Sequence, residues 1–307
     1  MPAVSFCLGG IFLKEPLFTG ACTAIVTPFR NGVVDYEVFE RLIELQYAGG
    51  VSAVVVCGTT GEAPTLSPAE QEKLFRTAAD RSAGRMKIIA GIGSNDTKRA
   101  AYMAQTASDA GADGVLMVTP YYNKSTQAGL AEHFSYAADR SAVPLILYNV
   151  PSRTGVGIAP ETYALLAMHP NINGVKEASG DIGTFARTVS LCGDDLHFWS
   201  GNDSDTVAMM ALGAEGVISV ASNIVPDVVS RLCRLCIEGD YEAAALLNRQ
   251  YMDLFHIMFR EVNPIPVKTA MGLLGRCSPE LRLPLVPMSE KNTVDLAACL
   301  WAHGLIL

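Results

Sequence analysis

Histidine is scarce in this sequence, positive charge is outweighed, and no apolar run reaches membrane-spanning length. Each shortage removes a class of function. The five histidines fall at 133, 169, 197, 256 and 303 of 307 residues, and none sits at ligand-like spacing from another, so no metal is expected. Lys and Arg number 23 against 31 Asp and Glu, a formal net charge of −8. No basic surplus exists to neutralise phosphates, which argues against nucleic acid as a partner. Nothing approaches the roughly 18–20 consecutive apolar residues of a membrane helix. No GxGxxG follows the first strand-like run, so a dinucleotide fold loses its main support; GIGSND at 91–96 has only GxG and follows the third run.

Cysteine is present but unorganised. Of eight cysteines only Cys233 and Cys236 form a CxxC, inside VVSRLCRLCIEGD, which reads as helix. Without a second CxxC or a paired histidine, these read as two packed thiols in a reducing compartment, and a cytoplasmic location is expected. The leading segment MPAVSFCLGGIFLKEP is apolar, yet its Lys14 follows the apolar run instead of preceding it. It reads as an extra N-terminal arm over residues 1–17, not a secretory signal.

What is abundant is hydrophobicity, half of all residues, and it is arranged as one repeated unit. Short continuous apolar runs recur: CTAIV (22–26), SAVVV (52–56), KIIAG (87–91), GVLMV (114–118), PLILY (144–148), INGVK (172–176), HFWSG (197–201) and GVISV (216–220). Continuous runs mark strands buried on both faces. Helical patterns fill the gaps. Ser67-Pro68-Ala69-Glu70 is a capping box with proline at the first helical position. Asp35 can cap a helix whose inner face carries Val38, Phe39, Leu42, Ile43 and Leu45, and Asp181 can cap one carrying Ile182, Phe185 and Val189. Strict βα alternation implies a parallel sheet with right-handed crossovers. Eight units in about 220 residues favour a closed (β/α)₈ TIM barrel over a doubly wound sheet. The barrel is expected over 18–224. Its last helix and a C-terminal helical extension are expected over 225–307.

Active sites of such barrels sit at the C-terminal strand ends. After the second strand come Gly58, Thr59, Thr60, Gly61 and Glu62; after the third, Gly93, Ser94 and Asn95; after the fourth, Thr119, Pro120, Tyr121 and Tyr122. The fifth ends in Tyr148 and Asn149 with Arg153 beyond, the sixth in Lys176-Glu177, the seventh in Ser200-Gly201-Asn202 and the eighth in Ser219. A lysine at the lip of an apolar barrel is desolvated, which favours the neutral, nucleophilic amine. It could equally pair with Glu177 or snorkel to solvent. Tyr148 on the adjacent strand can move protons near that amine, or be a core residue with a satisfied hydroxyl. The GTTGE turn could hold a carboxylate in a nest of N–H groups and hydroxyls, or merely connect strand to helix. Arg153 could take a second carboxylate in its planar fork, or be a surface cation. Metal-dependent aldol chemistry lacks histidines and has few carboxylates at these ends.

Five motifs then stand together in order: GTTGE (58–62), VTPYYN (118–123), YNVPSRTG (148–155), GVKEASGD (174–181) and SGND (200–203). From about Phe18 to the C-terminus the chain resembles the dihydrodipicolinate synthase family, within the N-acetylneuraminate lyase superfamily of pyruvate aldolases. The resemblance implies a cofactor-free lyase joining pyruvate to aspartate semialdehyde through a Schiff base on Lys176. It implies a proton relay of Tyr148, Thr59 and Tyr122, the last reaching into a neighbouring subunit of a homotetramer built as a dimer of dimers. It implies pyruvate carboxylate binding by Thr59 and Thr60, semialdehyde carboxylate binding by Arg153, and backbone carbonyls of Gly201 and Ile218 near the lysine. N-acetylneuraminate lyase and 2-keto-3-deoxy sugar acid aldolases are the rival activities; TT in GTTGE and Arg153 favour the first reading. A non-catalytic ligand-binding barrel would be expected to have lost Lys176, Tyr148 or Arg153, and all three are present.

One departure concerns regulation. Lysine-inhibited members of the family carry histidines and a glutamate at an effector site that Asn95 and Tyr121 match. Here Pro68 and Gln71 stand at the histidine positions and Arg99 replaces the acid. An arginine facing the ammonium of lysine repels it. Free L-lysine is therefore expected to inhibit weakly or not at all in a steady-state assay; inhibition at sub-millimolar lysine would overturn this.

Overall fold

The computed structural model describes residues 14–307, so most of the expected N-terminal arm lies outside the described residues. Eight parallel strands close into a barrel: β1 (Gly20–Ala24), β2 (Ala53–Val56), β3 (Lys87–Gly91), β4 (Gly114–Val118), β5 (Leu145–Asn149), β6 (Ile172–Glu177), β7 (His197–Ser200) and β8 (Gly216–Ser219). Each pairs with its sequence neighbours, and β1 pairs with β8 to finish the ring. The seam is tight. Gly20 and Gly216 are cross-strand partners, and a Cβ on Gly216 would stand 1.9 Å from the Gly20 carbonyl oxygen. Only glycine permits that approach.

Helices cover the outside: α1 (Tyr36–Ala48), α2 (Pro68–Ser82), α3 (Thr97–Asp109), α4 (Gln127–Ala138), α5 (Pro160–Ala167), α6 (Ile182–Cys192), α7 (Thr206–Ala211) and α8 (Pro226–Ile237). The capping signals act as read. The Asp35 and Asp181 carboxylates accept from Val38 and Thr184 N–H, and Ser67 and Glu70 form a reciprocal capping box. The inner face of α1 differs at one place: Gln46, not Leu45, completes it, in step with the 3.6-residue period through Phe39, Leu42 and Ile43. The Thr23 hydroxyl donates to the Gln46 Oε1 at 2.6 Å, which satisfies the carbonyl half of the buried amide. A two-stranded hairpin, Phe29–Arg30 with Val33–Val34, precedes α1. Cys233 and Cys236 are free and buried on the inner face of α8.

The first described residues meet the N-terminal ends of the strands. The Lys14 ammonium donates to the carbonyls of Ala167 and Ile172 at 2.6 and 2.8 Å. The Phe18 ring stacks on Trp199 with centroids 4.7 Å apart, and the indole N–H donates to the Phe18 carbonyl. This apolar stack fills the barrel interior from below, together with Cys22, Val55, Ile89, Leu116, Ile146 and Ile218.

Beyond the barrel come α9 (Tyr241–Gln250), α10 (Met252–Ile257), α11 (Ile265–Leu273) and α12 (Glu290–Ala302). Leu254, Phe255, Val267, Met271, Leu296 and Leu300 join them to the main apolar core, and α11 is held by an ion pair as well. Lys268 of α11 donates to Glu62 at 2.7 Å, and both side chains are 0% exposed. Arg282 N–H donates to the second Glu62 oxygen at 3.1 Å, and the ammonium also lies 4.2 Å from the Phe29 ring centroid. Burial lowers the ammonium pKa while the Glu62 charge opposes that shift. Removing one member of such a pair leaves a buried charge without a partner. Lys268→Ala is expected to cost about 3–5 kcal/mol in denaturant-induced unfolding, and Lys268→Met combined with Glu62→Gln to recover most of that loss.

Candidate active site

Parallel pairing decides what meets at the barrel mouth. Tyr148 and Lys176 are direct cross-strand partners on β5 and β6, and Lys176 is in turn the partner of Trp199 on β7. Alternation along β6 sends Lys176 inward and Glu177 outward. The Lys176 Nζ stands 4.5 Å from the centre of the Tyr148 ring and the residue is only 5% exposed. Above it opens a cavity of about 480 Å³ lined by Thr59, Thr60, Tyr148, Arg153, Lys176 and Gly201, with Val150, Ser152, Ala178, Asn202 and Val220. Six of the residues expected from the sequence thus share one chamber. Ile218 does not line it; it lies buried in the interior layer beneath, with Tyr148 and Trp199. Gly201 must be glycine, since a Cβ there would come within 2.5 Å of the Ala178 Cβ.

The pairing of Lys176 with Glu177 is excluded by the fate of the carboxylate. Glu177 is buried on the opposite side of β6. It accepts both Asn149 Nδ2 contacts at 2.9 and 3.1 Å, the Tyr163 hydroxyl at 2.8 Å and the Ser179 N–H at 2.7 Å. Burial, and then the Glu177 charge, push the Tyr163 hydroxyl pKa well up, so it stays a donor. A second carboxylate, Asp203, lies fully buried and close enough to feel the Lys176 charge. It accepts from the Ser219 hydroxyl and from Val220 and Ala221 N–H. Burial raises its pKa, against the pull of those donors and of Lys176.

The GTTGE turn is only partly a nest. Gly61, Glu62 and Ala63 spend their N–H groups on the carbonyls of Gly58 and Thr59, which leaves Thr59 and Thr60 as the turn's cavity-facing groups. Arg153, at the end of the short helix Pro151–Thr154, reaches the Asn263 carbonyl at 3.5 Å. Tyr122 is 91% exposed, holds a positive φ of 68°, and does not line the cavity of its own chain. Asn95 and Tyr121 are brought together, Asn95 Nδ2 donating to the Tyr121 carbonyl at 3.3 Å. Arg99 is exposed on the first turn of α3, and Gln71 Nε2 donates to Ala63.

The C-terminal extension supplies what the strand-end survey missed. Phe259 to Asn263, between α10 and α11, form one wall of the cavity. Asn263 donates to the Thr60 hydroxyl at 3.0 Å, while its own Oδ1 is buried without a hydrogen-bond partner. A buried amide oxygen with no partner is costly unless a ligand supplies the donor. The only local signal was an Asn-Pro step ahead of a helical stretch.

Comparison with known proteins agrees with this fold. Residues 17–303 match the Dihydrodipicolinate synthetase family. A 4-hydroxy-tetrahydrodipicolinate synthase of Geobacter metallireducens is 49% identical over 290 residues, covering 94% of this chain and all of that protein. The crystal structure of dihydrodipicolinate synthase from Aquifex aeolicus superposes with a TM-score of 0.93 at 46% identity, covering 94% of this chain and 99% of that one. The enzyme of Cyanidioschyzon merolae, solved with lysine bound, superposes with a TM-score of 0.92 at 40% identity over 95% and 100% of the two chains.

The donors around Glu177 hold the outer side of the strand that carries Lys176. Tyr163→Phe removes one of them from a buried carboxylate. It is expected to lower stability by about 1–3 kcal/mol in denaturant titration; an unchanged midpoint would show that the Tyr163 hydroxyl is not needed there.

Proposed function

The chain belongs to the dihydrodipicolinate synthetase family, and on that premise we propose that it condenses pyruvate with L-aspartate 4-semialdehyde through a Schiff base on Lys176. The observation that carries this reading is the Lys176 amine, held at the base of the cavity beside the Tyr148 ring. Its amine attacks the pyruvate ketone, and the carbinolamine loses water to form the imine. Thr59 and Thr60 receive the pyruvate carboxylate, and Tyr148 passes protons to and from the departing hydroxyl. Loss of a methyl proton gives an enamine, whose carbon attacks the semialdehyde carbonyl. The semialdehyde's own amine then adds to the imine carbon, closes the ring and expels Lys176. Arg153 at the cavity rim holds the second carboxylate, and the Gly201 carbonyl orients the intermediates.

The proton relay needs a third hydroxyl, which Tyr122 of a neighbouring copy provides. Its exposure and positive φ support this, because a bulky residue held in that conformation is uncommon away from functional sites. A homotetramer is the assembly proposed. Leu165, Met168 and Leu191 support it, since they stand exposed on the packed pair α5 and α6. No helix of the described residues is long and apolar enough to cross a membrane. A cytoplasmic enzyme is the reading, in keeping with free cysteines such as Cys233 and Cys236.

Incubation with pyruvate followed by borohydride reduction is expected to leave one pyruvate-derived adduct on Lys176 by peptide mass spectrometry, absent from Lys176→Ala. Turnover with aspartate semialdehyde should exceed that with sialic-acid or sugar-acid substrates. A folded sample without an adduct would overturn the mechanism; an adduct without semialdehyde turnover would overturn the substrate alone.

A further inference from the structure

Away from the cavity, one place among the described residues brings a carboxylate, a thiol and an imidazole together. Asp253 of α10, Cys299 of α12 and His303 at the end of α12 offer ligand atoms that all lie within 4.8 Å of one another. Cys299 and His303 are four residues apart on one helix, so both face the same side. Asp253 comes from the helix packed opposite. Its Oδ1 lies 2.9 Å from His303 Nε2 and its Oδ2 is 3.8 Å from the Cys299 sulfur. The imidazole ring is already fixed, stacked on Tyr251 with centroids 4.8 Å apart.

We propose that Asp253, Cys299 and His303 bind a zinc-class divalent cation. The donor set is one soft thiolate, one imidazole and one carboxylate, the mixture that suits zinc and not magnesium or calcium. Tetrahedral zinc with bonds of about 2.0–2.3 Å sets its donors roughly 3–4 Å apart. The three groups therefore need only small shifts to close on an ion. Two anionic ligands and a neutral ring cancel the charge of the cation, and water completes the fourth position. On binding, the S–H bond of Cys299 breaks, a sulfur–metal bond forms and the proton goes to solvent. The ion replaces the contact that Asp253 and His303 now make directly. No electron is transferred.

Its location gives the site a structural role. Glu261 ties the other end of α12 to the cavity wall, accepting from Ser289 N–H and Oγ and from Asn292 Nδ2. Asp253 begins the same stretch that runs through α10 to Phe259 and Asn263. A metal joining α10 to the end of α12 would hold the wall-forming segment from both sides.

The full-length chain, stripped with a chelator, should be titrated with cobalt(II) alone and followed by absorption. One equivalent per chain is expected to give a near-ultraviolet thiolate-to-cobalt band that zinc abolishes by displacement, and zinc is expected to raise the melting temperature. Cys299→Ser should lose the band. Asp253→Asn, at an exposed position, should weaken cobalt binding by at least about 10–100-fold. Absence of the band in folded wild-type protein, or its persistence in Cys299→Ser, would overturn the proposal. Because none of these readouts involves pyruvate, failure here leaves the Schiff-base reading intact.

Discussion

Glu62 and Lys268 meet at 2.7 Å where neither side chain touches solvent, and the barrel mouth is organised around that contact. Glu62 closes the turn that carries Thr59 and Thr60; Lys268 lies in the helix that follows Asn263. A buried ion pair gains little net stability over an apolar replacement but is unforgiving of partial loss. Its effect here is positional. It brings an element more than 200 residues distant in sequence against the β2 loop, so that Asn263 can hold the Thr60 hydroxyl. The stretch from Phe259 to Asn263 closes the cavity on that side. With it, the strand ends face a wall.

The same separation of roles appears on β6. Lys176 and Glu177 are neighbours in sequence with opposite surroundings, because a strand turns successive side chains to opposite faces. Glu177 is saturated by Asn149, Tyr163 and Ser179, which anchors the outer face of the strand. Lys176 stands in the apolar interior beside Tyr148. The strand is fixed by its polar outer side while its inner side turns Lys176 to the cavity.

The barrel was legible because its rule is local and repeated. Eight continuous apolar runs separated by capped helices leave few other architectures, and seven of the runs fall on their strands to within a residue or so. The one exception is the first run: CTAIV reads as 22–26, while the strand spans Gly20–Ala24, because pairing across the closing seam recruits Gly20, which carries no apolar signal. Lys176 and Tyr148 were legible for the same reason, as polar residues ending apolar runs, and Thr60 and Arg153 as polar residues in the loops just beyond such runs. Asn263 and Asp203 were not. Nothing near them in sequence reveals that Asn263 meets Arg153 and Thr60, or that Asp203 is wrapped by the β8 loop. The hairpin at Phe29–Val34 escaped because two-residue strands show no periodicity. Gln46 was passed over for Leu45 because residue type suggested burial, whereas helix phase determined it.

What remains is the charge state of the chamber as a whole. Among the described residues no carboxylate lies within ion-pair distance of Lys176, although two are nearby. Glu177 is turned outward and saturated, and Asp203 is buried among donors of its own, with its proton affinity raised. The hydroxyls of Thr59, Thr60 and Tyr148, the amide of Asn263 and the guanidinium of Arg153 complete the polar lining around Lys176, together with Asn202 and the outer Arg260 and Glu261. Such a surface is poor in negative charge near the amine and rich in donors. On the proposed reading the missing anions arrive with the reactants. The pyruvate carboxylate is drawn to the threonines and the semialdehyde carboxylate to Arg153, and each is placed before the amine reacts. A carboxylate supplied by the protein beside Lys176 would compete with the first substrate for the same donors. On that reading the outward turn of Glu177 and the enclosure of Asp203 leave the donors around Lys176 free for the reactants.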